Sequence, residues 1–162
     1  MCLTNIEKIT PQEDIICYKL FKIDPEVHDS DMWSPFYSKS WKIGKMETLK
    51  RNAPTVYSSY YNGGKKQIIE GGAYHSYQNI ADIPVEFLLC FDFVVCKCII
   101  PKSSKYIYSG YNNENENSKG YASQKLKPIE IVHVDKCELF KTLYYANFLD
   151  EQRQKFNERC KE

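Results

Sequence analysis

Cys96 and Cys98 are the first residues of this sequence whose type and spacing could do chemistry. Residues i and i+2 of a β-strand face the same side, so both thiols could bind one soft metal ion. A structural zinc site needs four ligands, usually from two paired clusters, and the sequence has no CxxC or HxxxH pair. Cysteines within apolar segments more often act as small hydrophobic residues of the core. We therefore expect buried thiols and no metal site.

His75, Glu114 and Glu116 are the candidate catalytic residues. His75 follows Gly71-Gly72, and glycines allow the backbone to approach a ligand closely. A structural histidine is the competing interpretation, since no nucleophile signature surrounds any cysteine that could pair with it. The two glutamates could present paired carboxylates, but their Asn-rich surroundings are typical of a solvated loop. The sequence contains neither GxGxxG nor GxxxxGK[ST], so we expect no nucleotide cofactor.

A tyrosine-rich stretch with basic residues is the candidate binding surface, comprising Tyr57, Tyr60, Tyr61, Lys65 and Lys66. This composition suits base stacking combined with phosphate contacts. It equally suits a protein–protein interface, where tyrosine gives a large contact area at low entropic cost. Tyrosines half-buried at the edge of a sheet are the third interpretation. The sequence leaves all three open.

Composition indicates one soluble domain. The 162 residues are 43% hydrophobic and 27% charged, enough to fill a core and solvate a surface. No apolar run approaches the roughly 20 residues that span a bilayer, and no secretory signal begins the sequence. The short apolar runs predict no membrane partner, and seven cysteines, an odd number, favour reduced thiols in the cytoplasm. The net charge of +1 argues against binding nucleic acid mainly through overall charge.

The hydrophobic patterns predict an α+β fold: a small mixed or antiparallel sheet, one short helix and a long C-terminal amphipathic helix. Strands are expected over 15–22, 66–69, 73–77, 93–100, 121–126 and 129–134. The strand over 93–100 is apolar on both faces and is expected to be central. Asp82 and Pro84 resemble the start of a helix, which places the short helix within 78–90.

Three further features complete the predicted domain, which spans residues 1–162. Asn62-Gly63-Gly64 indicates a hairpin turn, and residues 112–120 are expected to be a solvated loop. From about Lys136 the apolar residues recur at helical spacing, which predicts a helix over 136–160 with Asp135 as its N-cap. Residues 1–14 form an N-terminal segment that could be flexible.

The order of these segments carries a resemblance. It is seen in Tyr18-Lys19-Leu20-Phe21-Lys22, Trp41-Lys42-Ile43-Gly44-Lys45, Gly72-Ala73-Tyr74-His75-Ser76-Tyr77 and Val95-Cys96-Lys97-Cys98-Ile99-Ile100-Pro101. Over residues 17–135 the chain resembles an uncharacterised domain of phages, gut-type bacteria and giant viruses, sometimes found beside pentapeptide repeats. That resemblance implies no activity.

The same order is similar, at the level of the fold, to the second half of ADP-ribosyltransferases. In that family a glycine–aromatic strand precedes a helix, a strand ending in proline and a Glu-x-Glu element. The similarity implies Tyr74-His75-Ser76 and Glu114-Asn115-Glu116 as the elements to consider. The first strand lacks the Arg-Gly or His-Gly of the family, which puts the activity in doubt.

Three functions follow as hypotheses. The preferred one is a small non-enzymatic, phage-type interaction protein that binds and modulates a host protein or ribonucleoprotein complex. An inhibitor of bacterial defence, similar to an anti-CRISPR protein, is its sharpest form. An enzyme similar to ADP-ribosyltransferases is the first alternative, and an RNA-binding module is the second.

Overall fold

The computed structural model describes residues 3–23, 32–34, 37–50, 53–61, 64–69, 72–90, 92–112 and 115–144. Within these residues the chain forms twelve β-strands and little helix. The strands are β1 (Leu3–Lys8), β2 (Ile15–Ile23), β3 (Met32–Ser34), β4 (Tyr37–Trp41), β5 (Glu47–Thr48), β6 (Val56–Tyr61), β7 (Gly64–Ile69), β8 (Tyr74–Tyr77), β9 (Phe93–Ile100), β10 (Ile107–Asn112), β11 (Asn115–Ser123) and β12 (Lys125–Val132).

The strands form one antiparallel sheet. Their order is β5-β12-β9-β2-β8-β11-β10-β1-β7-β6, with β3 paired to β2 and β4 paired to β3. β9 lies between β12 and β2, so the prediction of a central strand over 93–100 is confirmed. Tyr61 pairs with Gly64 between β6 and β7, which confirms the hairpin expected around Asn62-Gly63.

The predicted α+β fold, with a small sheet and a long C-terminal helix, is wrong. Helical structure in the described residues is limited to a 3-10 turn at Ile80–Asp82, helix α1 at Val85–Leu89, and residues 136–144. The remainder of the predicted helix, 145–160, lies outside the described residues. The error arose because several strands are short or polar, and only a distant pairing partner makes them strands.

The stretch 112–120 shows this error most clearly, because it was expected to be a solvated loop. β10 ends at Asn112 and β11 begins at Asn115, so most of the stretch belongs to a strand pair. Tyr111 pairs with Lys119 but Asn112 pairs with Asn115, so β11 carries a bulge. Ser118 in that bulge is buried and donates a hydrogen bond to the carbonyl oxygen of Asp82. The Ser118 hydroxyl is therefore satisfied within the protein.

The N-terminal segment contributes strand β1, which lies between β10 and β7. The register between β1 and β10 shifts between Thr4 and Glu7, where Asn5 has a φ of 50°. Gly110 on β10 faces this irregularity, and a Cβ atom there would lie 2.8 Å from the carbonyl oxygen of Thr4. The bulged strand thus needs glycine opposite it.

The central strands bury apolar residues on both faces. On one face Cys17, Phe21, Trp41 and other residues form a cluster that includes Cys96 and Cys98. On the other face a second cluster packs beneath α1 and comprises Leu20, Tyr77, Ile83, Leu88 and Val95. The expectation of buried thiols is met by three of the cysteines. No helix in the described part of the chain is both long and apolar enough to span a membrane.

Candidate functional site

His75 lies on β8, a strand whose four residues are all buried. The residue is 8% exposed, and neither ring nitrogen has a hydrogen-bond partner in the part of the chain that the structure describes. Burial, together with the nearby charge of Lys19, lowers the pKa of His75 to about 3. The imidazole is therefore neutral at physiological pH and shielded from solvent, which is the environment of a core histidine.

Strands β2 and β8 separate beside His75. In the described residues, β2 and β8 pair at Tyr18 and Tyr77. Further along, β2 pairs with β3 instead. Lys19 fills the gap, because its Nζ atom donates a hydrogen bond of 2.8 Å to the carbonyl oxygen of His75. The ammonium group thus supplies the donor that a neighbouring strand would otherwise provide. Burial lowers the pKa of Lys19 to about 8.

Lys19 also belongs to a group of cations and aromatic rings that we call the Trp41 cluster: Lys19, Phe21, Lys39, Trp41 and Tyr74. The Trp41 ring centroid lies 5.4 Å from that of Phe21 and 4.9 Å from that of Tyr74. Lys19 Nζ is 5.9 Å from the Trp41 ring, and Lys39 Nζ is 5.1 Å from it. Both distances lie within the range of cation–π attraction.

The second cation of the cluster is held by a carboxylate. Lys39 Nζ is 2.6 Å from Glu47 Oε2 and donates to the Tyr74 hydroxyl at 2.9 Å. Lys45 Nζ contacts the other oxygen of Glu47 at 3.2 Å. Burial opposes the charge on Glu47, but the hydrogen bonds from both lysines outweigh it and lower its pKa. Burial likewise disfavours the Lys39 charge, yet the bonds to Glu47 and Tyr74 raise its pKa.

The Trp41 cluster was not predicted from the sequence. A signal was present, because Lys19 precedes Phe21 by two positions and Lys39 precedes Trp41 by two. In strands, residues two apart share a face, so each lysine lies on the face of its aromatic neighbour. What the sequence lacks is the contact between β2, β4 and β8 that joins the two pairs with Tyr74.

The cysteines lie on the same face of the sheet as Lys19. Cys17 pairs with Cys98 across β2 and β9, and Lys19 pairs with Cys96. Burial raises the pKa of Cys17 to about 12. The pKa of Cys98 is also raised, mainly by its hydrogen bond with Cys96 and to a smaller extent by burial. Among the described residues, no group of three or more histidine, cysteine or acidic side chains could hold a metal ion.

Of the two candidate glutamates, Glu116 is the second residue of β11. Glu114 and the side chain of Glu116 lie outside the described residues, whereas the backbone of Glu116 belongs to the strand. Ala122 on β11 pairs with His75, and Glu116 precedes Ala122 by six residues. This separation is up to about 20 Å along an extended strand.

The candidate binding residues lie on the β6–β7 hairpin. Tyr57 pairs with Ile68, and Tyr60 pairs with Lys65. Tyr57 is 41% exposed, whereas the side chains of Tyr60, Tyr61, Lys65 and Lys66 lie outside the described residues. β6 is the last strand in the sheet order, and no described strand pairs with its outer edge.

Comparisons with known proteins give no relative from which a function could be transferred. No family model, no curated protein and no solved structure matches this chain.

Proposed function

We propose that this chain is a non-enzymatic interaction protein that binds a protein or ribonucleoprotein complex of a bacterial host. The observation that carries the proposal is the position of β6 at the edge of the sheet, with Tyr57 exposed on it. The backbone of an edge strand offers N–H and C=O groups to an added strand of a partner. Tyrosine beside that edge adds contact area at low entropic cost.

The chemistry of the buried residues favours binding over catalysis. His75 is shielded from solvent, and its pKa of about 3 leaves the imidazolium form, which acts as a general acid, unpopulated near neutral pH. The pKa of Cys17 is raised to about 12, so its thiol is a poor nucleophile. An ADP-ribosyltransferase remains the alternative that a transfer assay would detect.

The resemblance to domains of phages supports a host target in the cytoplasm. An inhibitor of bacterial defence, similar to an anti-CRISPR protein, is the sharpest form of this proposal. The near-balanced charge of the chain, +1, favours a protein surface as the primary contact. A ribonucleoprotein complex would offer such a surface together with RNA.

The test is affinity capture from a bacterial host lysate, with both protein and RNA identified. We expect a specific stoichiometric complex with the wild-type chain and its loss with Tyr57→Ala. Phe140→Ala is the matched control, because Phe140 is an exposed aromatic residue of the helical segment 136–144, away from β6. Loss of the complex with Phe140→Ala and retention with Tyr57→Ala would contradict the assignment to β6.

Two further measurements separate the alternatives. Nuclease treatment that removes all captured material, together with salt-dependent binding of RNA alone, would favour the RNA-binding module. Labelled NAD incubated with the lysate would reveal a transferase, and loss of the label with Glu116→Gln would assign the activity. No captured complex and a labelled target would overturn the proposal.

A further inference from the structure

The Trp41 cluster contains a buried hydrogen-bond donor without an acceptor. Trp41 is 2% exposed, and its Nε1 atom has no hydrogen-bond partner among the described residues. A buried N–H group without an acceptor destabilises the folded protein. Native proteins leave few such groups, and a bound ligand is one way to satisfy them. The indole N–H therefore indicates a missing acceptor.

Two neighbours of the indole, Lys19 and Tyr74, also carry N–H or O–H groups that the hydrogen bonds of the described residues do not use. An ammonium group has three N–H donors, and Lys19 uses one of them on the carbonyl oxygen of His75. No described carboxylate forms an ion pair with Lys19. The Tyr74 hydroxyl oxygen accepts from Lys39, so its own proton is available to an acceptor.

The charges around the cluster do not balance. Lys19 and Lys39 both approach the Trp41 ring, and Lys45 binds Glu47 beside it. Among the described residues, three ammonium groups thus face one carboxylate, which leaves two positive charges in excess. A hydrogen bond from Lys19 to a neutral carbonyl does not offset its charge. An anion would offset it and supply the acceptor for the indole.

We propose that the Trp41 cluster binds an oxyanion group, a phosphate or a carboxylate, that accepts hydrogen bonds from Lys19 Nζ and Trp41 Nε1. The Lys39 side chain is 40% exposed and marks the side from which the anion enters. The structural role of Lys19 beside His75 accounts for one of its donors but not for the indole. This site is separate from the β6 edge, so the two proposals fail independently.

The probes are inorganic phosphate and acetate, titrated separately at constant ionic strength into the ¹⁵N-labelled protein. The readout is the indole N–H resonance of Trp41, assigned with Trp33→Phe because the chain has two tryptophans. We expect a saturable shift with one or both anions, and the tighter one identifies the oxyanion. A shift equal to that caused by chloride, or no shift with either anion, overturns the proposal.

Lys19→Met assigns the site. Loss of a charged hydrogen bond should weaken anion binding about tenfold or more. Lys22→Met is the matched control, because Lys22 is an exposed lysine of the same strand, and it should leave the affinity unchanged. If Lys19→Met does not fold, Lys39→Met is measured instead and should also weaken binding. Unchanged affinity in the folded lysine variants would overturn the assignment to this cluster.

Discussion

The ammonium group of Lys19 donates a hydrogen bond to the carbonyl oxygen of His75 at the point where β2 and β8 separate. A cation and a neutral imidazole residue thereby share one buried region of the sheet. Both groups are shifted towards their uncharged forms, because burial lowers the pKa of each. Two predictions about pH follow from this pair.

The first prediction is that His75 makes the folded protein less stable in acid. Its pKa is about 3 in the folded protein against 6.5 for an exposed histidine. Below 6.5 the unfolded chain binds a proton that the folded chain does not, so the free energy of unfolding decreases as the pH is lowered. The slope approaches about 1.4 kcal/mol per pH unit. Urea unfolding between about pH 7 and pH 5, where most carboxylates remain ionised, measures it.

The control for this experiment removes the titrating group. His75→Leu should lose most of the acid slope, whereas His133→Gln, at an exposed position, should retain it. Equal slopes of the free energy of unfolding against pH in the wild type and in His75→Leu would show that His75 does not cause the loss of stability in acid.

The second prediction is that Lys19 loses its proton in mildly alkaline solution. Its pKa is about 8 in the folded protein against 10.5 for an exposed lysine. Between these values the unfolded chain holds a proton that the folded chain has released, so this lysine makes stability rise with pH there. The Cε resonance of Lys19 in NMR spectra should titrate with a midpoint near 8. A midpoint near 10.5 would rule out a desolvated ammonium.

Gly110→Ala should destabilise the protein. The added Cβ would lie 2.8 Å from both the Thr4 carbonyl oxygen and Ile6 Cγ2, so the bulged β1 strand would have to move. Overpacking of this kind costs typically about 1–3 kcal/mol. Gly44→Ala is the comparison, because its Cβ would meet nothing within 4 Å and only its φ of +81° is strained. Thermal unfolding should show the larger loss for Gly110→Ala; the reverse order would contradict the close approach.

Asp135→Ala should weaken the helical segment 136–144. Asp135 Oδ1 accepts a hydrogen bond of 2.9 Å from the Glu138 backbone N–H, as expected of the N-cap predicted from the sequence. Its loss should cost about 1 kcal/mol in the free energy of unfolding. Asp135→Asn keeps an acceptor and should lose far less, as measured by chemical unfolding. Equal losses for the two variants would exclude the cap as the cause.

The central part of the fold could be predicted from the sequence. β2 and β9 are rich in β-branched and aromatic residues and are recognised without knowledge of their partners. Asp135 follows a local rule for helix starts. Only the end of β11, residues 121–123, falls within a predicted strand; its polar first half could not be predicted, since those residues become a strand only by pairing with β10. The pattern at 112–120 is the same in a loop and in a buried bulge.

The Trp41 cluster could not be predicted for a similar reason. Each Lys-x-aromatic pair is visible in the sequence, but the approach of Lys19 and Lys39 to one indole ring depends on three separate strands. His75 was chosen as a candidate catalytic residue from its glycine-rich surroundings, with a structural histidine as the competing interpretation. Its ring nitrogens have no hydrogen-bond partner among the described residues. This depends on how the strands pack and cannot be predicted from the sequence.

The position of β1 between β10 and β7 has a consequence for how the chain folds. The ribosome makes β1 before both of its neighbours, so this strand must remain unpaired until residues 64–69 and then 107–112 have been synthesised. Topologies with such distant pairings fold slowly and expose strands that can associate with other chains. Because β1 is the described strand that connects the β6–β7 hairpin to the rest of the sheet, the proposed binding edge becomes fixed only when β1 has paired on both sides.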